Sequence, residues 1–255
     1  MNVQEIIIDK VLSSLEKGIP AWVCPYRRIG LPENLDGRKY NGINIFVLSN
    51  SLYASNKWGT FKSFTQKGYY VKEGEKSSLV VGWFPQKYEV TDEETGEKLE
   101  KVSFVLRYFN VFNSCQTTMF VKEEISEIKI LLPEIETFIK TISSFVPVKR
   151  GFTHIPHYKL AMHEVEVPPV ENFSDIDEYY SALFHELIHS TMKPLDRKIS
   201  LPQEELVAEI GASMLCQTFG VLKTLENSVA YCANWAKKIK DKEVNIIKCA
   251  SFAEK

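Results

Sequence analysis

Residues 181–190 read Ser-Ala-Leu-Phe-His-Glu-Leu-Ile-His-Ser, and within them His185, Glu186 and His189 form the pattern H-E-x-x-H. On an α-helix, side chains four residues apart share a face, so two imidazoles can meet one metal ion while Glu186 stands beside them as a general base. That is the donor set of a zinc hydrolase. Zinc held by two neutral imidazoles needs a third protein ligand and an open position for water. Glu205 and Glu209, one turn apart downstream, both fit. Glu205 is assigned as the ligand. Glu209 is assigned as the acid that accepts the free N–H of a ligating histidine, and it remains the alternative ligand.

These side chains need two helices brought close together. Ser174 followed by Asp177 predicts a capped start, Ile176, Tyr180, Leu183 and Leu187 recur at helical spacing, and Pro194 forbids continuation. A second helix is announced by Ser200 and Pro202 and stops near Gly220. Its Ala208, Gly211 and Ala212 are small enough to let the first helix approach within reach of a carboxylate. Before the metal helix, residues 154–167 read as strands, whose main chain near residues 159–167 is a candidate for pairing with an extended peptide. His154, His157 and His163 lie there without the spacing of a ligand set.

The chain has 255 residues, 44% of them apolar, and a net charge of −2, as in an ordinary globular protein. It contains neither an apolar run of about 18 residues nor a basic n-region, so a cytoplasmic protein with no membrane span is expected. Five scattered cysteines without a C-x-x-C pair are expected to be reduced thiols. The charge is uneven: residues 17–87 carry eleven Lys and Arg against four acids, whereas residues 89–101 carry two against six. The basic stretch interleaves aromatic rings with cations, first at Trp22 and Arg27, then at Trp58, Phe61 and Phe64 among Lys57, Lys62 and Lys67. Such rings can stack on unpaired bases while cations follow phosphates, or they can form a core beneath a solvated basic face. Strands over residues 79–90 and 102–112, joined by a polar loop, complete an α+β first part with an antiparallel sheet. Pro85 is expected to interrupt the first of these strands.

Taken together, several segments resemble the ArdC-type antirestriction proteins of mobile elements, whose N-terminal half is shared with TraC-type primases. They are Trp22 with Pro25; Tyr40-Asn-Gly42-Ile43-Asn44; Trp58-Gly-Thr60-Phe61-Lys62; residues 71–76; and residues 108–113 with Gln116. The second half adds residues 179–189, Leu195-Asp-Arg197, and Glu204-Glu205 through Ala212. The resemblance implies a single-stranded DNA-binding domain over residues 1–125, then a mainly helical zincin-like metallopeptidase domain over residues 126–255. The expected cofactor is Zn2+. The expected partners are single-stranded DNA and a protein or peptide substrate of unknown identity. Residues expected to meet DNA are Trp22, Arg27, Arg38, Lys39, Tyr40, Asn44, Trp58, Phe61, Lys62, Lys72 and Lys76. The chain departs from the family at Glu164-Val-Glu166-Val167, where an Asp-x-Ile pairing is usual. Two other readings stay open: a DNA-coating protein with a purely structural zinc, and a metallopeptidase that binds no DNA.

Overall fold

The structure is a computed structural model that describes residues 3–18, 30–49, 51, 53, 55–91, 98–119, 132–151, 153–222, 229–241 and 244–255. Two sheets and eight α-helices organise these residues into an α+β fold. No described helix is long and apolar enough to cross a membrane.

The first sheet has the order β1-β2-β4-β3, built from β1 (Glu33–Asn34), β2 (Lys57–Gly59), β3 (Ser78–Thr91) and β4 (Lys98–Asn113). Strands β3 and β4 pair antiparallel along their whole length, from Ser78 opposite Val111 to Thr91 opposite Lys98. Pro85 does not interrupt β3, contrary to expectation. An edge strand tolerates proline because its outward N–H has no partner to lose, and β3 is the edge of this sheet. The two-residue β1 runs parallel to β2, so the sheet is antiparallel only in its larger part.

Helices α1 (Val3–Glu16) and α2 (Ile43–Ser49) come from the first half of the sequence. Their buried Ile7, Val11, Leu15, Ile43 and Ile45 share one apolar core with α6 (Leu201–Phe219), α7 (Val229–Lys240) and α8 (Ile246–Ala253). A second core lies between α4 (Leu132–Ile142), α5 (Ile176–Ser190) and the strand β7 (Glu164–Val167). Strand β7 sits in the middle of the second sheet, parallel to β5 (Val148–Arg150) and antiparallel to β6 (His157–Lys159). The edges of this sheet are therefore β5 and β6, and the strand just before the metal helix is paired on both sides.

Candidate metal centre

Helix α5 begins one residue later than its sequence signal. Asp175 is the N-cap, its carboxylate accepts from the Glu178 N–H at 2.8 Å, and the Glu178 side chain accepts from the Ser174 N–H at 2.7 Å. The apolar face of Leu183, Phe184 and Leu187 is buried, which turns His185 and His189 toward the opposite side. Helix α6 starts after Ser200 with Pro202 in its first turn and ends at Gly220 in the left-handed conformation (φ 70°). The two helices approach closely at Gly211, where an added Cβ would come within 2.8 Å of the Ile188 side chain. Ala208 and Ala212 beside it are fully buried.

This approach carries Glu205 to the two imidazoles. His185 Nε2 and His189 Nε2 stand 3.1 Å apart, and Glu205 Oε2 lies 3.6 Å from the first and 3.7 Å from the second. Donor atoms about 2.0–2.2 Å from a tetrahedral ion are about 3.3–3.6 Å from each other, so the triangle fits one divalent cation. Among the described residues, these are the three grouped as a possible metal site. Glu205, at 42% exposure, opens the group to solvent, whereas the imidazoles are at 17% and 13%.

The far ring nitrogens face carboxylates as well. Glu209 Oε1 lies 3.6 Å from His185 Nδ1, and Glu204 Oε1 lies 3.3 Å from His189 Nδ1. A carboxylate at Nδ1 favours the tautomer that leaves the Nε2 lone pair for a metal. Glu204 is itself clamped by the buried Arg197, whose Nε donates to Oε2 at 2.7 Å while a terminal nitrogen donates to Oε1. Arg197 also donates to Thr191 Oγ1 at 2.8 Å and to the Ile188 carbonyl at 3.2 Å, so it ties the end of α5 to the start of α6. The H-E-x-x-H pattern by itself gives Glu204 and Arg197 no such role. Their signal was an acid immediately before the assigned ligand and an arginine seven residues earlier.

The charges are strongly coupled. Burial disfavours the His189 cation, but hydrogen bonding to Glu204 and Glu205 overrides this and raises its pKa to about 9. The two imidazoles hold the Glu205 carboxyl well below the usual carboxylate range. Burial works against the ionised Glu204, yet Arg197 and His189 keep its pKa low.

A cleft of about 500 Å³ opens over the three donors and is also lined by Glu186 and by His157 and Tyr158 of β6. His157 borders it but faces Glu166 at 3.5 Å, and His163 accepts or donates at Nδ1 to the Tyr158 hydroxyl at 2.8 Å. Neither joins the donor triangle, and His154 is exposed away from the cleft lining.

The residues expected on DNA are distributed unevenly. Trp22 and Arg27 lie outside the described residues. Trp58 is fully buried with Leu48, Val80 and Val111, so it is core and cannot stack on a base; this corrects the expectation. Asn44 is corrected likewise, because its amide is occupied by the main chain of Val81, donating to the carbonyl and accepting from the N–H at 2.7 Å each. Arg38, Lys39, Phe61, Lys62, Lys72 and Lys76 are exposed, and Tyr40 is half-buried. The Lys72 ammonium donates to the Cys115 carbonyl at 3.1 Å.

Residues 1–112 match the family model described as the N-terminal domain of anti-restriction factor ArdC, and residues 133–252 match that of a zincin-like metallopeptidase. A DNA primase TraC of Escherichia coli is 27% identical over 98% of this chain, which spans about a quarter (26%) of that protein's length. The metal-free crystal structure of antirestriction protein ArdC from plasmid R388 superposes with a TM-score of 0.79 at 28% identity, covering 100% of this chain and 94% of that one. The Mn(II)-bound structure of the same protein gives 0.73 and 26%, covering 100% and 95%. With both halves of the sequence matched in order and the whole fold shared, the chain is similar along its length to the ArdC-type antirestriction proteins.

Proposed function

We propose that this chain pairs single-stranded DNA binding, in residues 1–125, with a metal-dependent peptidase centre in residues 126–255, in the service of antirestriction. His185, His189 and Glu205 would hold one divalent cation, zinc by the chemistry of the donors and of the zincin-like match. The observation that carries this reading is the triangle of 3.1, 3.6 and 3.7 Å between their donor atoms, roofed by an open cleft. The relative from plasmid R388 is known with Mn(II) bound, which supports a divalent ion here.

A bound cation would supply Lewis acidity, polarising a peptide carbonyl and easing loss of a proton from water. The protein supplies the rest. Glu186, beside His185 in the cleft, would accept that proton and pass it to the departing amine. Glu204 and Glu209 orient the imidazoles. The edge of β6 borders the cleft, so an extended peptide could add to it by main-chain hydrogen bonds.

The N-terminal assignment rests on the ArdC and TraC likenesses and on the exposed basic residues named above. Its test is a titration of the full chain against labelled single-stranded and duplex oligonucleotides. Binding that prefers the single strand and weakens with salt supports it; equal affinity for duplex, or none for either, removes it. For the peptidase, a fluorogenic casein digest is the assay. Glu186→Gln should retain the metal and lose cleavage, and unchanged cleavage would remove Glu186 as the base.

A further inference from the structure

The part of the first half richest in exposed rings is the β3–β4 hairpin. Cross-strand pairing sets Val80 opposite Phe109, Gly82 opposite Arg107 and Phe84 opposite Val105, so Phe84, Arg107 and Phe109 share one face. The Phe84 and Phe109 rings lie 5.3 Å apart at 57°, and the Arg107 guanidinium stands 5.8 Å from the Phe84 centroid. Gly82 makes this possible, because a Cβ there would meet the Phe84 ring at 2.8 Å. Each of the two phenylalanines is nevertheless 38% exposed.

These rings floor a cleft of about 290 Å³ whose other wall is the turn carrying Arg38, Lys39 and Tyr40, and no carboxylate lines it. Among the described residues, Arg38, Lys39 and Arg107 have no acid within ion-pair distance. Nearer the hairpin tip, by contrast, Lys87 pairs with Glu100 and Lys98 with Glu89. Uncompensated cations beside exposed π faces suit a partner that carries both phosphates and planar rings. In a duplex the base faces are covered by their neighbours, so the partner must present them unpaired. The opposite face, with Trp83, Phe104 and Tyr108 exposed, has rings but lacks such a group of free cations.

We infer that this cleft is a base-stacking seat, in which an unpaired nucleobase of single-stranded DNA lies against Phe84 and Phe109 while flanking phosphates meet Arg38, Lys39 and Arg107. The inference rests on the single-strand binding proposed above and gives the stacking role to Phe84 and Phe109 rather than to Trp58, which is buried in the core.

The test compares two labelled probes on the full chain by fluorescence anisotropy: an oligothymidylate of roughly 15 nucleotides and an abasic strand of the same length and charge. Wild type should prefer the base-bearing strand. Phe84→Leu with Phe109→Leu, which keeps apolar bulk but removes both π faces, should weaken oligothymidylate about 5- to 100-fold and leave the abasic strand unchanged. Arg107→Ala should weaken both probes equally and lower the log–log salt slope by about one. Trp83→Ala, on the other face, should leave both affinities at the wild-type value. Matching thermal unfolding curves for wild type and the leucine pair show that the hairpin is intact. Full discrimination retained by the leucine pair, or lost in Trp83→Ala instead, overturns the seat while leaving single-strand binding standing. Failure of wild type to bind either probe overturns the single-strand reading itself, and the seat with it.

Discussion

Arg197 and Glu204 form a buried ion pair, Nε to Oε2 at 2.7 Å, that ends on the His189 ring through the other carboxylate oxygen. The guanidinium is fully enclosed and the carboxylate nearly so, so removing one partner strands the other charge away from water. Arg197→Ala is expected to cost about 3–5 kcal/mol, or of order 10 °C in Tm, by calorimetry. Glu204→Gln should fold and weaken divalent-metal affinity about 10- to 100-fold, since it loosens the orientation of His189. Wild-type affinity in that variant would reduce the pair to a structural strut.

Glu205 and Glu209 sit one turn apart but meet different nitrogens of the histidines, Glu205 at Nε2 and Glu209 at Nδ1 of His185. Glu205→Gln should therefore abolish tight metal binding, while Glu209→Gln reduces it by about 10- to 100-fold. Isothermal titration with zinc separates the two; the reverse ranking would make Glu209 the ligand.

The two metal-site helices were legible in the sequence because their signals are local. Spacing of four puts two histidines on one face, and Ser200, Pro202 and Gly220 punctuate α6 whatever surrounds it. Glu205 and Glu209 could not be told apart in this way. They are identical in type and one turn apart, and only the packing of α6 against α5 sets Glu205 near the Nε2 atoms and Glu209 near His185 Nδ1. The same limit explains Trp58. It follows Lys57 and precedes Lys62 in a basic stretch, but pairing of β2 with β4 sets Trp58 opposite Asn113 and buries it with Val80 and Val111. Exposure of Phe84 and Phe109 likewise depends on strand register, which no local pattern prints. Pro85 misleads for a related reason, since its meaning depends on whether the strand is central or at the edge.

His189 sets the pH dependence of metal uptake. With its pKa raised from 6.5 to about 9, the metal-free protein holds a proton on this ring at neutral pH, and a cation must displace it. Apparent affinity should rise with pH, by about tenfold per unit from this proton, and level off above 9. For the metal-free fold the sign is opposite: the stabilisation from this protonated ring is complete below pH 6.5 and lost as pH rises through 9. Titrations in buffers of different ionisation enthalpy should show proton release at pH 7.5. Release of none would contradict the coupling.

Gly211 fixes the distance between α5 and α6. A methyl group there meets Cγ1 and Cδ1 of Ile188 at 2.8 Å and Cγ2 at 3.0 Å, so the whole side chain or the helix must shift. Gly211→Ala is expected to cost about 1–3 kcal/mol and to weaken zinc binding as Glu205 moves from the histidines. Denaturant unfolding and zinc titration check both; a stabilised variant with intact affinity would show that the contact is not limiting.

The most direct measurement is anomalous diffraction at the zinc absorption edge from crystals of the full chain soaked in zinc chloride. The expected map has one strong peak within bonding distance of His185 Nε2, His189 Nε2 and a Glu205 carboxylate oxygen, with its fourth side toward the cleft. A map without a peak there, or with Glu205 turned away from an ion bound elsewhere, would contradict the metal centre and the peptidase chemistry built on it.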